Sequence, residues 1–323
     1  MPLPDKSDNF EPRQIGILLV DGFALMAYAS IIEPFRAANV MANRELYHWT
    51  HISTDGEIAQ ASNGASILAD IAVGEPTQFD MLFVIVGGDP TAFNDKKTFA
   101  WLRRLALTGI RIAGVSGGPL VLARAGLLEG YRCTIHWDHA PIFMETYPGH
   151  LLEDTLYVVD RNRMTCAGGT AGLDLAIAII ERDHGHNLAV EVSEWFIRTQ
   201  PRPAGDAQRM NLRERYNISN HRILKVLAHM EANIEEPEDR ECLARVAGVS
   251  ARQLERLFRH HLKATIAELY RRIRLDHAHV LLRKTGMSIT NIAIASGFAS
   301  SSHFSRCYKD HFGHSPRDGR FAN

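Results

Sequence analysis

The chain has 323 residues, 46% of them hydrophobic and 23% charged, and 36 Lys and Arg against 37 Asp and Glu leave a formal net charge of −1. That length accommodates about two domains, neither too small to bury a core. Four cysteines without a CxxC pair (Cys133, Cys166, Cys242, Cys307) exclude a disulfide framework, and no apolar window is long enough to span a membrane. The first 13 residues are polar and acidic and lack the apolar core of a secretion signal, so a cytoplasmic, reduced protein is expected.

Apolar runs and helix-like stretches then alternate. Residues 15–20 read as a short buried strand and 25–38 as a helix; 81–86 is a second strand, ending in Gly87-Gly88-Asp89 and followed by a helix over about 96–107. A third strand, 110–115, runs into Ser116-Gly117-Gly118 and a helix that begins near Leu120. A later strand, 157–159, precedes Thr165-Cys166-Ala167-Gly168-Gly169 and a helix over about 171–181. This order predicts an α/β domain, a doubly wound parallel sheet covered on both faces, and in such folds sites form at the C-terminal ends of strands.

Gly114-Val115-Ser116-Gly117-Gly118 fits the G-x-S-x-G pattern of a strand-to-helix elbow, which holds a nucleophile over a helix N-terminus. With His136, in Thr134-Ile135-His136-Trp137, and Glu33, in the first helix, Ser116 completes the residue set of an amidase or hydrolase. The chain order argues against one. Elbow hydrolases place an acid and then a histidine far downstream of the serine, whereas here the acid precedes it and the only close histidine follows about 20 residues on. The same pocket suits binding without reaction. Backbone N–H groups of Gly117 and Gly118, with the helix dipole, would hold a carboxylate, and Gly88 brings its amide close because it has no side chain. Trp137 either lies over a ligand cation, opposed by Glu33, or packs in the core. Thr170 and Gly168-Gly169 either line the same cavity or begin a helix. The expected effector is a small amino-acid-like or betaine-like zwitterion, with no cofactor.

Residues 197–216 are rich in Pro, Arg and polar side chains and read as a linker between residues 14–196 and 217–323. Charge divides with it: from residue 217 onward 17 Lys and Arg face 11 Asp and Glu, so the remainder of the chain is acidic. Inside the basic part the sequence repeats itself. Leu243-Ala244 answers to Ile292-Ala293, Gly248-Val249 to Gly297-Phe298, and Leu254-x-Arg256-x-Phe258 to Phe304-x-Arg306-x-Tyr308. The offset is about 49 residues before the turn and about 50 after it, which implies one residue inserted in the second turn. Each copy, about 240–261 and about 289–312, reads as a helix-turn-helix. In the first, Leu243, Val246 and Ala247 form an apolar face, Gly248 supplies a left-handed turn, Ser250 caps the next helix, and Leu254, Leu257 and Phe258 point to the core. The outer faces carry Arg252, Gln253, Glu255, Arg256 and Arg259 in one copy and Ser301, Ser302, Ser305, Arg306 and Lys309 in the other. Such side chains suit base edges and phosphates of double-stranded DNA. His260-His261 and His277-x-His279 lack Cys partners at zinc spacing, and no metal is expected.

The run Ile289-x-x-Ile292-Ala293-x-x-x-Gly297-Phe298-x-Ser300, with His303-Phe304-Ser305-Arg306, Tyr308-Lys309, Phe312-Gly313 and Ser315-Pro316, resembles the signature of AraC-type transcription regulators. Tyr270, Arg274-Leu275, Ala278 and Leu281-Leu282 match that family's connecting helix. The resemblance implies an all-α C-terminal domain whose two recognition helices enter successive major grooves about 34 Å apart. It puts Arg252, Glu255 and Arg256 of the first helix, and Ser302 and Arg306 of the second, at base-reading positions. Where the family has an aromatic residue shortly after the final proline, this chain has Gly319, with Phe321 nearby.

The order Glu33, Gly87-Gly88, Ser116 and His136, with Ile31-Ile32-Glu33-Pro34 and Arg36-Ala37-Ala38-Asn39, resembles a second family. It is the PfpI-type, class I glutamine amidotransferase-like domain, flavodoxin-like in fold, that precedes an AraC-type module in one branch of regulators. Enzymes of that superfamily keep a cysteine at the elbow, because a thiolate at a helix N-terminus is a strong nucleophile. Ser116 stands there instead, and a sensor rather than an enzyme is expected. The branch includes regulators of carnitine, betaine, dimethylglycine and arginine catabolism. By resemblance, the partners are promoter DNA, a small nitrogenous effector and RNA polymerase, and the output is activation. A homodimer with no membrane partner is expected.

Overall fold

The computed structural model describes residues 11–320; Phe321 and the polar stretch before residue 11 lie outside them. The chain divides after Gln208 into two units.

The N-terminal unit contains, in chain order, β1 (Arg13–Leu19), α1 (Leu25–Met41), β2 (Tyr47–Ser53), β3 (Ile58–Gln60), β4 (Ser66–Leu68), β5 (Ile71–Ala72), β6 (Met81–Val86), α2 (Lys96–Leu107), β7 (Arg111–Ser116) and α3 (Gly118–Arg124). There follow β8 (Arg132–Cys133), α4 (Ala140–Thr146), β9 (Leu151–Leu152), β10 (Tyr157–Asp160), β11 (Arg163–Cys166), α5 (Ala171–His184) and α6 (His186–Trp195). Seven strands form one sheet in the order β10-β11-β7-β6-β1-β2-β5, parallel except for β10. The hairpin β3–β4 and the short pair β8–β9 lie apart from it.

Alternation along each strand feeds two cores. Ile15, Ile17 and Leu19 of β1 and Phe83 and Ile85 of β6 pack with Ile31 and Phe35 of α1, Leu175 of α5 and Val192 of α6. Leu18 of β1 and Leu82 and Val84 of β6 pack on the other face with Trp101 of α2, Leu120 of α3 and Phe143 of α4. Burial on both faces is why these strands read as unbroken apolar runs. The expected doubly wound sheet is therefore present. Strand β2 escaped the sequence reading because His48, Thr50 and His51 interrupt its apolar residues. After β1 the chain turns to one face of the sheet and after the adjacent β6 to the other, so a crevice opens between these two strand ends.

The C-terminal unit is helical: α7 (Leu212–Tyr216), α8 (His221–Ala232), α9 (Arg240–Ala247), α10 (Ala251–Leu262), α11 (Ile266–Lys284), α12 (Ile289–Ala295), α13 (Ser301–Phe312) and α14 (Pro316–Gly319). Each begins at a side-chain cap, in order Asn211, Asn220, Asp239, Ser250, Thr265, Ser288, Ser300 and Ser315. Short helices with no sheet behind them are marginal alone, so caps worth about 1 kcal/mol each fix where they start. Leu227, Leu243, Leu254, Phe258 and Leu269 form one core. Leu282, Ile292, Phe298, Phe304 and Tyr308 form a second, and α11 contributes to both. Gly248 stands two residues before the cap Ser250 and Gly297 three before Ser300, so the inserted residue lies in the second turn.

Candidate functional site

Ser116 ends β7 with φ +60, the left-handed backbone of a strand-to-helix elbow, and its side chain is nearly buried. The loop after β11 closes over it: a Cβ on Gly168 would lie 2.6 Å from the Ser116 Cβ. The carbonyl of Ser116 accepts the backbone N–H of His136 at 3.3 Å. The His136 ring accepts the Asp138 backbone N–H at Nδ1, 3.3 Å, so a neutral ring carries its proton at Nε2. Cys166 lies beside the elbow on the neighbouring strand, paired with Val115. Burial pushes its thiol up to about 12, so it does not replace the missing nucleophile.

The Glu33 carboxylate accepts from its own helix, from Arg36 Nη2 at 2.6 Å and Nε at 2.8 Å. The α1 residue that reaches the elbow side is Ser30, one turn earlier, whose hydroxyl donates to Gly169 O at 2.6 Å. The Gly117 N–H is also committed, donating to Val86 O at 2.9 Å because the β6–β7 ladder continues one residue past the strand. Trp137 is 39% exposed, so plain core packing does not describe it.

Gly88 lines a cavity of about 310 Å³ at the crevice between β1 and β6. Asp21 and Gly22 border it on the β1 side, Asp89 and Phe93 on the β6 side, and Thr54 closes it from β2. Asp21 and Asp89 hold their loops, accepting from Gln60 N at 2.9 Å and Thr91 N at 3.0 Å.

Residues 198–208, read as linker, fold back on the N-terminal unit. Arg198 and Arg202 both pair with Asp174, whose side chain is buried in the first turn of α5, and Arg202 also donates to the Thr170 hydroxyl at 3.0 Å. Thr170 thus stands just before α5, and its hydroxyl is held by the returning chain. Gln208 finishes the segment. Its amide donates to Thr134 Oγ1, Ile135 O and Thr155 O at 3.1, 2.9 and 3.0 Å, and its oxygen accepts the Trp137 N–H at 2.7 Å.

In the C-terminal unit, α10 and α13 bury Leu254 with Phe258 and Phe304 with Tyr308, at matching positions. Opposite these, Arg252, Gln253, Arg256 and Arg259 are exposed on α10, and Ser302, Arg306 and Lys309 on α13; Glu255, Ser301 and Ser305 are half-buried. Gln253 completes a capping box with Ser250, its Oε1 accepting the Ser250 N–H at 3.1 Å. Glu255 pairs with Arg259 at 3.3 Å. Arg256 and Arg306 therefore stand at equivalent places, each two residues past a buried anchor. Among the described residues no group of His, Cys, Asp and Glu could hold a metal ion, and no helix is long and apolar enough to cross a membrane.

The DJ-1/PfpI family matches residues 13–182, and a helix-turn-helix domain matches residues 243–320. The HTH-type transcriptional regulator GlxA of Rhizobium meliloti (strain 1021) is 42% identical over 311 residues, 96% of this chain and 96% of that one. The HTH-type transcriptional regulator GbdR of Pseudomonas aeruginosa is 39% identical over 312 residues, 97% of this chain and 85% of that one. The chain belongs to the AraC-type transcriptional regulators that carry a DJ-1/PfpI domain. A crystal structure of an AraC family transcriptional regulator from Pseudomonas putida shares the fold of part of this regulator, with TM-score 0.51 and 22% identity over 57% of this chain and all of that one.

Three features of this regulator escaped sequence reasoning. His303, read only as part of the family signature, is exposed on α13 at the place that matches Gln253 on α10, and the 50-residue offset alone would have shown the match. Asp21 and Asp89 left no signal, because loops brought together by a sheet share no spacing in sequence. Gln208 looked like linker, and only its four bonds reveal otherwise.

Proposed function

We propose that this DNA-binding transcription regulator reads promoter DNA with α10 and α13 and is switched by a small nitrogenous metabolite held at the strand ends of its N-terminal unit. The observation that carries the DNA reading is the equivalence of Arg256 and Arg306, exposed at one position of two duplicated helices. Arg252, Glu255, Arg256, Ser302 and Arg306 would then meet base edges, with Arg259 and Lys309 at phosphates. The output is activation of a catabolic operon, by a homodimer in contact with RNA polymerase.

For the effector, the cavity beside Gly88 has the volume of a small-molecule site, at about the lower limit for such pockets. Its two carboxylates, Asp21 and Asp89, and the Phe93 ring favour a cationic nitrogen such as that of a betaine, a carnitine or arginine. Ser116 and Gly117 meet Val86, which lines that cavity; these two residues, with His136, Trp137 and Thr170, bind rather than react, and the regulator is not an enzyme. Calorimetry of the full chain with glycine betaine, carnitine and arginine tests this. One should bind, and Asp89→Asn should weaken it about tenfold, or 1.4 kcal/mol; no heat from any of them removes the effector reading. The strained backbone of Ser116 favours one second reading, an amidase or hydrolase using Ser116 with His136. A fluorophosphonate probe decides it, and labelling of Ser116 would establish the enzyme.

A further inference from the structure

The duplicated turns carry the same glycine, but the fold uses the two copies differently. Gly248 and Gly297 are both left-handed, at φ +66 and +72, and the next residue closes the same loop in each, Val249 N to Ala244 O at 3.1 Å and Phe298 N to Ala293 O at 2.8 Å. A Cβ on Gly248 would meet nothing within 4 Å. A Cβ on Gly297 would lie 2.4 Å from Ile234 O, 2.7 Å from Pro237 Cδ and 3.0 Å from Glu235 O. Those three residues form the loop between α8 and α9, so the second reading head presses its turn into the body of the first.

One face of α11 clamps this contact. Tyr270 donates its hydroxyl to Asn233 O at 2.5 Å, holding the loop of the first half. One turn on, Arg274 donates to Ser296 O at 2.8 Å and Gly297 O at 2.6 Å, and its guanidinium lies 4.2 Å from the centre of the Phe298 ring. Ser296 is fully buried, with its hydroxyl 3.4 Å from His277 Nδ1. The spacing of residues 270, 274 and 277 puts all three on one side of the helix. The halves have separate hydrophobic cores. Apolar packing is non-directional, whereas hydrogen bonds to carbonyls and a backbone pressed against backbone admit one arrangement.

We infer that this junction is an alignment joint that sets the offset between α10 and α13, so that the pair accepts a single spacing of its two DNA boxes, with Arg274 and Gly297 as positioning residues. The inference rests on the reading of α10 and α13 as base-reading helices.

The test uses the full-length protein and duplexes it selects from a random pool. Wild type should enrich two boxes about one helical turn apart, and inserting or removing one base pair between them should weaken binding about tenfold. Arg274→Lys and Gly297→Ala should reduce that penalty to about threefold or less while binding a single-box duplex as wild type does. Gly248→Ala, equally left-handed but without the contact, should keep the full penalty. An unchanged penalty in Arg274→Lys overturns the joint, whether or not Gly297→Ala still binds a single box. A wild type that enriches no two-box duplex overturns instead the reading of the two helices.

Discussion

The side-chain oxygen of Gln208 accepts the backbone N–H of Trp137 at 2.7 Å, joining the last residue of the N-terminal unit to the loop that carries His136. The next residue in the chain, Arg209, opens the C-terminal unit. Gln208→Ala removes the amide that reaches Thr134 Oγ1, Ile135 O and Thr155 O, leaving Thr155 O only the Thr134 hydroxyl, and should destabilise the N-terminal unit by about 1–3 kcal/mol. It should also speed proteolysis within residues 198–208. Thermal melts and timed digestion check both, and a variant as protected as wild type would show that the four bonds do not hold the segment.

The elbow and its lid should be energetically coupled. Gly168→Ala puts a methyl 2.6 Å from the Ser116 Cβ at a left-handed φ of +80 and should cost about 2 kcal/mol or more. Ser116→Gly relieves the strain at φ +60 and removes the atom struck, so the double variant should regain a substantial part of that loss. Denaturant melts of the four proteins give the coupling, and strict additivity would contradict it.

Arg256→Ala and Arg306→Ala should each weaken binding to a selected duplex by about 1–3 kcal/mol and relax base preference at different positions. Lys309→Ala should weaken all sequences alike and lower the salt slope by about one. Anisotropy titrations across a salt series separate the two effects. Equal affinities for wild type and both arginine variants would contradict the assignment.

Burial holds the imidazoles of His277 and His279 below their ordinary range. The unfolded chain therefore binds more protons than the folded one as pH falls below the ordinary histidine value of about 6.5. Their contribution is present above that value and is lost as pH falls through it. His279→Gln keeps a side chain able to bond the Tyr308 hydroxyl, 2.6 Å from the His279 ring in the native protein. It should flatten the fall in the C-terminal unfolding midpoint between about pH 7 and about pH 5.5. An equally steep fall in wild type and variant would remove His279 as the cause.

The doubly wound sheet, the tandem reading heads and the inserted residue were legible because their causes are local: strand alternation, helix caps and a repeat at fixed offset act over a few residues. The same holds for the positions of Arg256 and Arg306, which follow from helical spacing after a buried anchor. What only the tertiary structure decided depends on which distant groups meet. The Gly117 N–H found Val86, Ser30 found Gly169, and a segment that looked like linker docked through Arg202 and Gln208. Gly248 and Gly297 make the division plain. Sequence made them equivalent, because each must adopt a left-handed turn, and the fold made them different, because one faces open space and the other faces the backbone of Ile234.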